Sequence, residues 1–391
     1  MRIALVHSFY ASAVPSGENT VVRDQGRLLV DAGHEVLLVS RHSDDARPWQ
    51  PVTAALTVAT GRGPDPSAEL RRFAPDIVHV HNLFPNFGTR WLARWPGPLV
   101  ATMHNYRPMC ANALFLRDGH NCTLCPDHGV VHAVRHRCYR GSAAATIPLA
   151  VRNRRGLAGD AVVRRADRLI VLSARAEQLY LKYGADPDRL RLLPNGLLGD
   201  ARADRDPRSR TASGDGWVAV GRMTPEKGLA ELLEWWPADQ RLTIFGDGPQ
   251  RDELLALAGP RVTVGSQLPS DQMRARFGHY EGSVHPGTAW EGGVPMVLVE
   301  SLARGTPVVA RAGGAAAEVV SRHGCGVVYD SPAGLVAALT EIRARETEFR
   351  AAALVTFHSH FGAARWLSRL EQLYDEAISA RGGAAGRPSG G

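Results

Sequence analysis

The sequence predicts an α/β protein made of two doubly wound domains, and three observations predict it. Short apolar runs rich in β-branched residues alternate with segments whose apolar residues recur at helical spacing, the pattern of βαβ units around a parallel sheet. The series halts at residues 199–216 (GDARADRDPRSRTASGDG), which are polar and without periodicity, and restarts at Trp217. The chain has 391 residues, 44% apolar and 22% charged, which suits two to three domains with real cores.

Taken in order, Arg2 to His7 reads as a buried strand. A helix follows over Asn19 to Asp31, with Val21, Val22, Leu28 and Leu29 on one face and Gly33 as its C-cap. Glu35 to Ser40, Asp76 to His81, Pro98 to His104 and Arg168 to Ser173 are further strands, the last followed by a helix through Tyr183. Pro194-Asn195-Gly196 closes this half with turn chemistry. The second half offers strands at Trp217 to Val220, Arg241 to Phe245, Arg261 to Val264, Pro307 to Ala310 and Gly326 to Tyr329. The expected boundaries are therefore a first domain over 1–196, a linker over 197–216 and a second domain over 217–350. A C-terminal helix over 351–380 would cross back to the first domain, and 381–391 (Gly, Ala, Pro and Ser) would form a disordered tail. Two such domains are expected to face a central cleft, with ligands beyond the carboxyl ends of the strands.

No stretch approaches the ~18–20 apolar residues of a membrane span. The first apolar run is too short for a signal peptide, because His7 and Ser8 interrupt it after Val6. A cytoplasmic protein is the expectation. The net charge is +7, carried almost wholly by arginine, since only Lys182 and Lys227 are lysines. Arg135, Arg137, Arg140, Arg152, Arg154, Arg155, Arg164 and Arg165 cluster in one stretch. A solvated helix face and a patch for anionic lipid headgroups, giving peripheral contact with the inner membrane face, both fit that cluster. Nucleic acid fits less well, because no aromatics are interleaved.

The chemistry-bearing motifs follow strand ends. After Trp217–Val220 comes Gly221-Arg222-Met223-Thr224-Pro225-Glu226-Lys227-Gly228, a strand-to-helix loop offering backbone N–H groups and two cations to a diphosphate. After Phe245 comes Gly246-Asp247-Gly248-Pro249, read either as a close backbone approach to a ligand or as a tight structural turn. The stretch HPGTAWEGGVPMVLVESLARGTPVVARAGG then sets Glu291 beside Gly292-Gly293-Val294. Glu300 falls on a helix that begins near Pro295. That helix would point its positive end at bound phosphates.

These four ordered motifs, covering nearly all of residues 217–330, resemble retaining glycosyltransferases of the GT-B fold in family 4. The resemblance implies that Arg222 and Lys227 hold the donor diphosphate. It gives Glu291 and the amides of Gly292, Gly293 and Val294 to the donor sugar, and Glu300 to the ribose. Gly221, Gly246 and Gly248 would line the donor. Where the family has seven residues between the two glutamates this chain has eight, which bears on the position of Glu291.

In the first half, Gly17 with Ser16 before it stands where the family often has a two-glycine loop near the donor phosphates. His104 matches the family's Thr-x-His position and would hydrogen-bond the donor sugar. Glu18, His81 and Asn105 are acceptor-side candidates, Glu18 being equally a helix-dipole partner. Cys110, Cys122, Cys125 and Cys138 fall close together. They sit in an insertion near 105–140 of a kind linked in the family to surface polysaccharide assembly. A structural zinc site and free buried thiols both fit them.

The implied reaction moves a hexosyl-type sugar from a nucleotide-diphosphate donor to a saccharide, lipid-linked or natural-product acceptor. Retention of anomeric configuration is implied by resemblance alone. No carboxylate pair is spaced for a divalent metal, so no cofactor is expected in catalysis. A nucleotide-sugar epimerase or a phosphorylase on the same architecture, and a non-enzymatic sugar-nucleotide-binding regulator, are the alternatives. A dinucleotide-dependent dehydrogenase is set aside, because no G-x-G-x-x-G follows the first strand.

Overall fold

A computed structural model describes residues 1–10, 17–45, 50–197 and 214–385. Most of the expected linker, the loop residues Pro15 and Ser16, and residues 386–391 lie outside the described residues. The chain divides into two compact units. One holds Met1–Arg117, Cys122–Pro194 and the residues from Leu367 onward; the other holds Asp118–Asn121 and Asn195–Trp366.

The first unit carries six parallel strands: β1 (Arg2–Phe9), β2 (Glu35–His42), β3 (Ile77–Asn82), β4 (Leu99–Met103), β7 (Arg168–Val171) and β8 (Leu190–Leu192). A two-strand ribbon, β5 (Leu116–Arg117) with β6 (His120–Asn121), falls between them in sequence. The sheet order is β2-β1-β3-β4-β7-β8. Strand β1 is buried from Ile3 through Phe9, as a central parallel strand covered on both faces must be. The polar pair His7–Ser8 lies inside that strand, fully buried.

The second unit carries β9 (Trp217–Val220), β10 (Leu242–Phe245), β11 (Val262–Gly265), β12 (Gly282–His285), β13 (Val308–Arg311) and β14 (Gly326–Tyr329). All pairings are parallel, in the order β11-β10-β9-β12-β13-β14. One face of this sheet is sealed by Trp217, Leu232, Ile244, Leu335 and Phe349, and the other by Leu298, Val299, Leu302, Val320 and Phe357.

The C-terminal helical region departs from expectation. It is two helices, Glu346–His360 and Ala363–Ala385, separated at Phe361-Gly362. The second runs to Ala385 and so enters the stretch expected to be a structureless tail. Within the first unit its Tyr374 hydroxyl meets His79 Nδ1 at 2.8 Å, and Glu376 binds Arg168 at 3.0 Å and Arg191 at 3.2 Å. Among the described residues, no helix is long and apolar enough to cross a membrane.

Candidate active site

A doubly wound sheet opens a crevice where strand order reverses, outside the carboxyl ends of the strands. In the second unit the reversal lies between β9 and β12. The loop after β9 tightens through a 3-10 turn, Pro225–Lys227, into the left-handed Gly228 (φ 67°) that starts the helix Leu229–Trp235. The loop after β12 runs through Trp290 and Glu291 to Pro295, which caps the helix Met296–Leu302. These loops bring two of the expected residues together: Lys227 Nζ forms a short ion pair with Glu291, each side chain about one-quarter exposed (26% and 25%). Both line a small cavity of about 40 Å³ with Gly221 and His285. His285 is a residue the sequence reading passed over. Its ring is half-buried at the end of β12 and meets Ser283 Oγ at 3.2 Å; burial, with the Lys227 charge, pushes its pKa down to about 3.

Arg222 is placed differently from its expected partner. It is 61% exposed and donates to Glu226 Oε1 at 3.2 Å, while the Thr224 hydroxyl donates to the same oxygen at 2.7 Å. Glu300 lies on the helix Met296–Leu302, 3.5 Å from Arg274 Nη1 and 13% exposed. Burial raises its carboxyl to about 7, with Arg274 opposing the rise. Gly292 and Gly293 are half-buried, and Val294 packs into the apolar cluster of Leu298 and Val299.

For the Gly246–Gly248 turn the structure supplies a local reason for glycine. A Cβ on Gly246 would lie 1.9 Å from the Gly221 carbonyl oxygen. One on Gly248 (φ 151°) would lie 2.5 Å from the Met223 oxygen. Of the two readings, the tight packing of one loop on another accounts for both glycines without a ligand.

In the first unit the strand order reverses between β1 and β3. Gly17 opens the helix Gly17–Asp31, with Glu18 in its first turn. Glu18 comes within 4.0 Å of His7 Nδ1, and its Oε1 is buried without a hydrogen-bond partner. Burial raises its carboxyl to about 7, against the nearby Arg107 charge and a hydrogen bond from Asn82. Beside it stands a ladder of histidines. His79 and His81 stack with ring centroids 4.2 Å apart, and His81 Nδ1 meets His104 Nε2 at 3.0 Å. His79 Nε2 meets Thr102 Oγ1 at 2.8 Å. Burial lowers His7 to about 4, and His79 and His104 to about 3. His81 is lowered as well, again chiefly by burial. Near neutral pH all four imidazoles are uncharged.

His81, His104 and Asn105 line one cavity of about 210 Å³. Its remaining wall holds Arg107, Arg152, Arg154 and Arg155, which the sequence reading either did not single out or assigned to a surface cluster.

The expected four-thiolate zinc set is not assembled. Among the described residues, no three His, Cys, Asp or Glu are arranged to hold a metal ion. The Cys110 thiol is buried and donates to Asn112 Oδ1 at 2.9 Å. Cys125 and Cys138 pack against the apolar cluster of Ala111, Ala133 and Leu149. Burial, with Cys110, Cys138 and Cys122 nearby, pushes the Cys125 thiol up to about 12. Burial thus disfavours the thiolate at Cys110 and Cys125.

Two six-stranded parallel sheets, each with a reversal of strand order, make up the GT-B fold. Models for "Glycosyltransferase Family 4" and "Glycosyl transferases group 1" match residues 15–197 and 215–344. The D-inositol 3-phosphate glycosyltransferase 1 of Catenulispora acidiphila is 33% identical over 80% of this chain and 74% of its own length. The D-inositol 3-phosphate glycosyltransferase of Acidothermus cellulolyticus is 31% identical over 61% of this chain, but the match spans only about half (53%) of that relative. In fold, the sucrose-phosphate synthase of Thermosynechococcus elongatus superposes with a TM-score of 0.64 over 97% of this chain and 99% of its own, at 20% identity. Anabaena Alr3699/HepE, solved in complex with UDP-glucose, gives a TM-score of 0.55 over 97% and 100%, at 18% identity. The chain belongs to glycosyltransferase family 4.

Proposed function

We propose that this enzyme transfers a hexosyl-type sugar from a nucleoside-diphosphate donor, with retention, to an acceptor bound by the first unit. The observation that carries the reading is the Lys227–Glu291 pair at the strand-order reversal of the second unit, where a sheet of this topology takes its ligand. HepE's UDP-glucose complex supports a nucleotide-sugar donor.

In this reading Lys227 leaves Glu291 for the diphosphate when the donor arrives. Arg222, exposed and lightly held, turns from Glu226 to the same group. Glu291, Gly292, Gly293 and Val294 then take the sugar, and Glu300 the ribose, with Gly221 beneath the diphosphate. Negative charge grows on the leaving diphosphate as the anomeric bond lengthens, and fixed cations stabilise that charge more than the ground state. His104 offers a neutral imidazole to a sugar hydroxyl. The acceptor attacks on the face the phosphate leaves, its proton passing to a departing phosphate oxygen. The charge is handled by side chains, and turnover should persist in EDTA.

The test is a thermal-shift screen of nucleotide sugars on the full chain. Mass spectrometry of transfer products and NMR of the new anomeric centre follow. A donor that stabilises the wild type, and loses that effect in Lys227→Ala, supports the reading. Donor binding indifferent to Lys227 and Arg222 overturns it.

A further inference from the structure

We propose that His285 is a positioning residue for Lys227: it becomes the hydrogen-bond acceptor of the ammonium once Glu291 is given up to the donor, and so keeps the cation aimed at the diphosphate. The proposal rests on the transferase reading above and adds a residue to its donor site.

The backbone brings the two residues together. His285 ends β12, and the Pro286-Gly287 loop after it packs on the turn that carries Lys227. A Cβ on Gly228 would lie 2.7 Å from the Pro286 carbonyl oxygen, and one on Gly287 would lie 3.2 Å from that of Glu226. Lys227, Glu291 and His285 are the polar side chains of the cavity formed there; the rest of its lining is glycine or apolar. Glu291 and His285 are thus the two side-chain acceptors that the cavity offers the ammonium. At about 40 Å³ the space is far below the ~300–1,000 Å³ of common ligand pockets, so the imidazole faces the lysine rather than a sugar ring.

The imidazole accepts at Nδ1 only if that nitrogen carries no proton, and a chain of buried hydroxyls decides this. Each serine hydroxyl has one proton to give. Ser301 gives its proton to the Leu298 carbonyl at 2.8 Å. Ser283 gives its own to Ser301 Oγ at 3.0 Å, with the Pro307 carbonyl 3.5 Å away as its alternative. Both serines are buried. Ser283 therefore has only lone pairs left for His285 Nε2, 3.2 Å away, and that nitrogen donates. In a neutral imidazole the other nitrogen is then bare. The reverse chain would give up the 2.8 Å bond and set an Nδ1–H beside a cation. Nδ1 has no hydrogen-bond partner among the described residues, and it is not one of their polar atoms sealed from the surface. Burial and the Lys227 charge keep the ring neutral, its pKa near 3.

That neutrality serves the chemistry. A carboxylate that kept its hold on Lys227 would offset the charge the diphosphate needs. A neutral lone pair fixes the ammonium and leaves its full charge for the leaving group.

Two measurements on the full chain test this. Long-range proton–nitrogen NMR with labelled histidine reads the tautomer, the His285 signals being assigned by their absence from His285→Gln. Calorimetry with UDP and GDP reads the diphosphate site. The wild type should show His285 protonated at Nε2 and bare at Nδ1, and saturation with the tighter nucleotide should move Nδ1 toward its hydrogen-bonded position. His285→Phe should weaken that nucleotide about tenfold, the loss of one hydrogen bond to a charged group. His285→Gln, whose amide both donates and accepts, should recover most of the loss. Because His285 acts through Lys227, the double variant H285F/K227A should bind no more weakly than Lys227→Ala. A proton on Nδ1, an Nδ1 signal indifferent to nucleotide, unchanged affinity in His285→Phe, or losses that add would each overturn the proposal. Melting curves identify a variant that does not fold, and the wild-type spectra decide without one. If neither nucleotide binds the wild type, or binding is indifferent to Lys227, the transferase reading falls. Binding that needs Lys227 but not His285 sinks only this proposal.

Discussion

Lys227→Ala separates chemistry from stability more cleanly than any other change in this protein. The ammonium sits on a tight 3-10 turn closed by Gly228, and its Nζ is held by Glu291. The turn thus fixes the backbone of Lys227 before any donor arrives, and only the side chain has to swing from Glu291 to the diphosphate, where a cation stabilises the growing charge. Removing one such group costs about 2.7–4 kcal/mol of transition-state stabilisation, roughly 10²–10³-fold in kcat/KM. The expected cost to folding is far smaller. With Lys227 26% and Glu291 25% exposed, the pair lies between a surface bridge and a buried one, and its loss should be about 1 kcal/mol. That corresponds to roughly 2–4 °C in Tm for a unit of this size.

Initial rates of transfer across donor concentrations, with melting curves on the same samples, measure both quantities. Glu291→Gln is the companion variant. Were Lys227 only a clamp for Glu291, the double variant would be no slower than the worse of the two single ones. Direct contact of each with the donor predicts losses that largely add. A Lys227→Ala enzyme within threefold of wild-type kcat/KM, or one whose rate loss tracks unfolding, refutes the argument.

Other changes probe the rest of the fold. Tyr374→Phe deletes the hydroxyl shared by His79 and Gln25 in a fully buried site and should cost about 1–3 kcal/mol, read as a lower Tm, with unchanged UDP affinity as the control. Gly246→Ala places a methyl 1.9 Å from the Gly221 oxygen and should destabilise by about 1–3 kcal/mol or more; an unshifted melting curve would show that the two loops do not pack as described. Glu300 gives a pH signature: its carboxyl is raised by burial to about 7, so the folded state holds the proton more tightly than the unfolded chain. Its contribution to stability is full below the ordinary value of 4.5 and is lost as pH rises through about 7. Glu300→Gln should remove that part of the slope, and melts with the same pH dependence as wild type would contradict the assignment.

Legibility in the sequence followed the range of the forces involved. Strands β9 and β14 are WVAV and GVVY, runs whose β-branched and aromatic residues announce themselves locally, and they occupy the residues expected. Strand β12 is GSVH, with two residues of poor strand propensity, and it is extended because β9 and β13 pair with it on either side. Strand β8 is three residues, LRL, and its parallel pairing with β7 is equally a tertiary effect. The site shows the same division. The Lys227 and Glu291 loops each carry local motifs, so both were visible, whereas the exchange of Arg222 to Glu226 is a matter of side-chain geometry. The arginine cavity draws its wall from four separate stretches of chain, and Tyr374 meets His79 across 295 positions. No local pattern encodes either.

The electrostatics of the two units fit one chemical demand. In the proposed reaction a negative charge grows on the leaving diphosphate while a positive one grows on the sugar ring. Cations belong at the first and are harmful at the second. Lys227 and Arg222 sit on the loop assigned to the diphosphate, while burial keeps His7, His79, His81 and His104 neutral where one of them is assigned to the sugar. A neutral imidazole can still donate or accept a hydrogen bond from a hydroxyl without opposing the oxocarbenium charge.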